Sequence, residues 1–142
     1  MEITNAKILP RDKIDAVISG IRKVYLVLVW FTGLYLVFNI FKVIDPLSRG
    51  KMLEMGLTFS IFIIICRGLK VRAHWLIPLI LISSAYNLFS VFFNSMEPAK
   101  DIAEIIAKPV GMLLVLFYAY QLIFFSKTEV KSLFGAKGFN VF

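Results

Sequence analysis

The chain reads as an all-α integral membrane protein with four transmembrane helices and both termini on the same side. Three observations predict this. Hydrophobic residues fill 59% of the 142 positions and mean hydropathy is +0.82. A soluble domain of this length has too small a core to hide so much apolar surface. The apolar residues are also blocked, because Asp, Glu, Lys and Arg are absent from 24–41, 55–66, 73–96 and 109–126. Their continuity, without the alternation of barrel strands, favours helices. Finally, the loop charges are lopsided. The segment before the first span, the loop between the second and third, and the tail hold 11 of the 16 bases against four acids, whereas the other side holds five of each. The whole formal charge of +7 therefore lies on one face, which the positive-inside bias makes cytoplasmic.

The elements follow in order. Residues 1–23 form a cytoplasmic and interfacial lead-in. Pro10 and Asp12 are start signals, and Ile14, Val17, Ile18 and Ile21 share one apolar helix face. Gly20 is expected to hinge this amphipathic helix onto the first span, about 24–41. That run begins too far in for a cleaved signal peptide and reads as an anchor. Neither Met1-Glu2 nor the tail GFNVF matches a lipidation pattern. Phe31, Tyr35 and Phe38 make an aromatic stripe suited to packing or lipid contact, and Pro46 and Gly50 break the first outer loop.

The second span, about 52–69, extends a short charge-free centre at both ends, with Arg67 snorkelling to the membrane surface. Gly56 and Ser60 form a small-xxx-small pair for internal packing, with dimerisation as the alternative. CRGLKVRAHW (66–75) is then a tight inner loop. Its Arg67, Lys70 and Arg72 are expected to contact anionic lipid headgroups, each contact worth about 1 kcal/mol.

The third span covers about 73–96. After it, Pro98 begins an outer amphipathic helix carrying Ile102, Ile105 and Ile106, which Pro109 breaks or kinks ahead of the fourth span, about 109–126. Ser126 and Glu129 fit a capping box, so a short interfacial helix is expected in the cytoplasmic tail, 127–142. Val130, Leu133 and Phe134 would face the membrane and Gly135 would end the helix. Trp75, Tyr25 and Tyr118 or Tyr120 are candidate interfacial anchors.

Groups for catalysis are scarce. One Cys (Cys66) and one His (His74) provide neither a disulfide nor a zinc cluster, and the sequence has no Gly-rich phosphate loop. Cys66 is expected to be a small apolar residue and His74 an interfacial polar group. No cofactor is implied, and the chain is not expected to be an enzyme. No carboxylate occupies mid-span, and Glu54 lies only at an outer end, which argues against an ion-coupled transporter.

The main polar feature is the spacing i, i+4, i+7, i+11 of Ser83, Asn87, Ser90 and Asn94, with Asn39, Thr58 and Ser60 at similar depth. A polar amide facing lipid is costly, so this stripe should face other helices. Interhelical hydrogen bonds worth about 0.6–2 kcal/mol each are the main reading. A partner contact or a small wet pocket open to the outer side is the alternative.

GLKVRAHW (68–75) and SKTEVKSLFG (126–135) resemble closing motifs of small bacterial four-helix inner-membrane proteins. That resemblance implies a bacterial inner membrane, multi-pass, and it brings no activity or site residues. The expected function is non-catalytic: binding a membrane-protein partner within the lipid bilayer, as an accessory subunit or as an immunity-type protein against a membrane-active toxin. A homo-oligomer is compatible with the pattern, and nothing in it points to nucleic acid. The alternative is a small channel or carrier using the polar stripe of the third span.

Overall fold

The structure, a computed structural model, describes residues 10–41, 48–98 and 102–135. Residues 1–9 of the lead-in, Pro46 of the first outer loop and residues 136–142 of the tail lie outside them. The described residues are helical, without a strand, and four helices are long and apolar enough to cross a membrane. They fall into two compact units, 10–73 and 74–135.

The first unit pairs α1 (Arg11–Ile40) with α2 (Arg49–Val71). Pro10 opens α1, its carbonyl accepting from Lys13 and Ile14, and Asp12 lies in the first turn where the helix dipole favours an acid. The 30 residues of α1 span about 45 Å, well beyond a hydrocarbon core of about 30 Å. The excess is the amphipathic segment. That segment is continuous with the span and not a separate helix, because Gly20 keeps helical geometry. A glycine costs only about 1 kcal/mol relative to Ala, too little to break a helix held by flanking packing. Ile14, Ile18, Ile21 and Tyr25 are buried along one face.

The two helices run antiparallel, as their contacts show. Gly33 meets Phe59, Tyr25 stacks edge-on against Phe62 at 5.4 Å, the Cys66 thiol points to the Arg22 carbonyl at 3.9 Å, and Asp15 pairs with Arg72. The close approach is at Gly33, where an added Cβ would sit 3.1 Å from the Phe59 ring. Gly56, expected to supply such an approach, has nothing within 4 Å of a Cβ position, and Ser60 is exposed. The Gly56–Ser60 pair therefore makes no internal packing contact of the kind expected. Ser48 caps α2, accepting from the Lys51 N–H at 3.4 Å. Arg72 ends it in the left-handed conformation (φ 57°, ψ 45°), with the Ala73 N–H returning to the Gly68 carbonyl.

The second unit contains α3 (Leu76–Met96), α4 (Ile102–Ser126) and α5 (Thr128–Ser132). Pro78 lies in the first turn of α3, where its missing N–H has no intrahelical role. Pro109 does not break its helix: α4 runs through it, so the segment expected as a separate amphipathic helix is the first part of α4. The ring removes one N–H, leaving the Ile105 carbonyl without its usual intrahelical donor.

The capping box after α4 does not form. Ser126 is still helical and its hydroxyl donates to the Leu122 carbonyl at 2.6 Å, so Lys127 becomes the cap of α5, without a side-chain bond. The α5 turn folds back on α4. Val130 and Phe134 are buried, with the Phe134 ring edge-on to Phe125 at 5.9 Å, which corrects the expectation that they face the membrane. Leu133 is half-buried and Gly135 exposed.

Candidate functional site

Hydroxyl groups on the spans are satisfied mostly along their own helices. Thr32 donates to the Leu28 carbonyl, Thr58 to Glu54 and Ser60 to Gly56, each four residues back. This back-bonding lets a small polar residue face hydrocarbon without an orphaned donor. The premise that polar groups in a span must face another helix is therefore too strong for these residues.

The predicted stripe follows the same pattern. Asn87 is half-buried, and its amide donates to the carbonyl of Ser83 at 2.8 Å and to the Ser83 hydroxyl at 3.2 Å, both on α3. Ser83 is buried, Ser90 half-buried and Asn94 exposed. Asn39 is buried on α1 and donates to the Tyr35 carbonyl at 3.0 Å. The stripe thus grades from buried to exposed along α3, and these bonds of Asn87 and Asn39 each stay within one helix.

A hydrogen bond between α3 and α4 lies one residue away from the stripe. The Ser84 hydroxyl on α3 donates to Gln121 Oε1 on α4 at 2.9 Å, and both residues are fully buried. Neither stood out in the sequence. Ser84 falls just off the spacing that defines the stripe, and Gln121 is one amide among Phe, Tyr, Leu and Ile. The available signal was the amide itself, a polar group in an otherwise apolar stretch of the span, which does not say whether its partner lies on its own helix or another.

A second locus lies at the Arg72 end of the first unit. Arg72 Nη2 contacts Asp15 Oδ1 at 2.8 Å, with the two side chains 31% and 40% exposed. An ion pair this wet contributes about 0.2–1 kcal/mol, but it holds the one non-glycine residue with positive φ among the described residues. The loop cations are therefore not all unpaired: Arg72 is engaged, while Arg67 and Lys70 are exposed. These two line a groove of about 500 Å³ with Arg22, Cys66, Ile63 and Val71. A second cavity, about 440 Å³, follows the Gly33–Phe59 contact and is lined by apolar side chains, among them Trp30, Leu34 and Val37.

Cys66 is buried, and His74 is exposed with its carbonyl accepting from Ile77. Tyr25 and Tyr118 are buried, so neither is a surface anchor of the kind expected, whereas Trp75 is half-buried and Tyr120 exposed. The aromatic stripe of Phe31, Tyr35 and Phe38 is exposed. No group of three or more metal-binding side chains occurs among the described residues.

Four long apolar helices mark the chain as a multi-pass membrane protein. Comparison with protein-family models, curated proteins and solved structures gives no match.

Proposed function

We propose that the chain is a non-catalytic protein of a bacterial inner membrane that binds another membrane protein, with its termini and the 66–75 loop in the cytoplasm. The observation that carries the proposal is the free face of α1. Only 11% of its most apolar stretch is buried, against 22–28% for the other three spans. At the edge of that face, where the Phe59 ring of α2 packs on Gly33, lies an apolar cavity lined by Trp30, Leu34 and Val37. Gly33 itself is taken by α2, so it is this cavity, with the exposed Trp30 and Phe31 beside it, that suits the packing of a partner's helix. An accessory subunit and an immunity-type protein against a membrane-active toxin are two forms of this function. The cytoplasmic placement rests on the division of loop charge.

A photo-crosslinking residue placed at Leu34 tests the reading in native membranes, with Leu113 on α4, the more exposed of the two, as the control. A defined heterologous adduct from position 34 and none from 113 is the expected result. Equal adducts at both, or lipid adducts alone, combined with solute flux through liposomes holding the purified protein, would replace binding with the channel or carrier reading.

A further inference from the structure

Three cations from two helices converge on the groove at the Arg72 end of the first unit: Arg22 from α1, and Arg67 and Lys70 one turn apart on α2. Like charges gathered without a counter-charge repel one another, so they are costly unless an anion joins them. No Asp or Glu lines the groove, and the nearby Asp15 is paired with Arg72. Arg22 adds a second indication. Its Nε is shielded from solvent and has no hydrogen-bond acceptor among the described residues, an unfavourable state for a charged donor.

The groove is also amphipathic along its length. Ile63 lies one helical turn further into α2 than Arg67, and it and Val71 leave 42% and 49% of their surfaces exposed. Cations stand at the end of the span and hydrocarbon one turn in. That is the order of groups in a phospholipid, whose phosphate precedes its acyl chains.

We propose that Arg22, Arg67 and Lys70 form a discrete binding site for one anionic phospholipid, its phosphate among the three cations and its acyl chain along Ile63. An oxygen of the phosphate gives Arg22 Nε an acceptor, and Arg67 offers a fork of donors matched to phosphate geometry. The apolar wall selects a lipid over a free anion. Arg72 takes no part, because Asp15 holds it. This separates the site from general adsorption of a basic loop to a charged surface.

The test is native mass spectrometry of the detergent-solubilised protein titrated with dioleoylphosphatidylglycerol, with dioleoylphosphatidylcholine and inorganic phosphate as parallel probes. One phosphatidylglycerol per chain is expected to bind, with weak binding of phosphatidylcholine and none of phosphate. Replacing Arg67 and Lys70 together by Ala should weaken the phosphatidylglycerol adduct by about twentyfold or more, from two lost cation–phosphate contacts. Both side chains are exposed, so the variant should keep its fold; Lys70→Ala alone, expected to cost about fivefold, is the milder check. Lys127→Ala, an equal charge change at an exposed position on another helix end, should leave the adduct unchanged. Three results would overturn the site: equal weakening by Lys127→Ala, which means diffuse attraction; equal retention of phosphatidylcholine, which means an acyl contact only; or saturable binding of inorganic phosphate, which means a soluble anion.

Discussion

The bond between Ser84 and Gln121 can be tested through its asymmetry. Both residues are fully buried and 2.9 Å separates donor from acceptor. Ser84→Ala removes the donor and leaves the Gln121 carboxamide oxygen without it, a loss of about 1–3 kcal/mol for a buried polar group. Gln121→Leu should cost less. Leucine fills much of the same volume, and the serine hydroxyl can turn back to the Ile80 carbonyl, as Thr58, Ser60 and Ser126 already do with theirs. That variant should lose about 0.6–1.7 kcal/mol, the range for hydrogen bonds between membrane helices. The double variant removes both polar groups, and apolar replacement of a matched pair is nearly neutral. The two single losses should therefore exceed the double loss by about 1 kcal/mol or more. Unfolding of all four proteins in mixed micelles, followed by circular dichroism, supplies the cycle. Additivity within about 0.3–0.5 kcal/mol would show that the two side chains do not act together, and this packing of α3 on α4 would be wrong.

Two other predictions follow from local geometry. Gly33→Ala should leave the protein less stable in detergent than Gly56→Ala by about 1 kcal/mol or more, since both gain the same helix propensity but only the Cβ at 33 would lie 3.1 Å from the Phe59 ring, while the one at 56 meets open space; equal effects on the melting temperature would contradict the α1–α2 contact. Asn87→Leu should change the melting temperature little, within about 0.5 kcal/mol of neutral, because the bonds it loses run to Ser83 on its own helix; a large loss would mean that the polar stripe joins helices.

What could be read in the sequence was whatever depends on composition over a whole turn or more. Three charge-free runs near membrane length and a shorter fourth, 55–66, locate the four long helices, because a single Asp or Lys in hydrocarbon is costly enough to be avoided. Single-residue punctuation was a poorer guide. Gly20 and Pro109 each cost a helix only a few kcal/mol at most, and α1 and α4 run through both. The Ser126 signal failed because a cap residue needs non-helical backbone, and Ser126 is still the last helical residue of α4, its side chain turned back to the Leu122 carbonyl.

Contacts between distant residues were out of reach. Asp15 and Arg72 stand 57 positions apart, and Ser84 and Gln121 stand 37 apart. No local periodicity connects either pair. The spacing of Ser83, Asn87, Ser90 and Asn94 was real, but a shared face does not say what lies opposite it. Here the bonds of Asn87 turn back along α3, and the bond to α4 starts from the neighbouring serine.

The central claim is that the chain crosses the membrane four times with its basic face in the cytoplasm, and cysteine accessibility tests this directly. In a Cys66→Ser background, which keeps a donor toward the Arg22 carbonyl, single cysteines replace Arg49, Glu97, Lys70 and Lys131, all exposed. Intact spheroplasts are then treated with a membrane-impermeant maleimide. Labelling at 49 and 97, with protection at 70 and 131 until the membrane is opened, is the predicted result. Labelling of 70 or 131 in intact cells, with none at 49 and 97, would invert the protein and contradict the account.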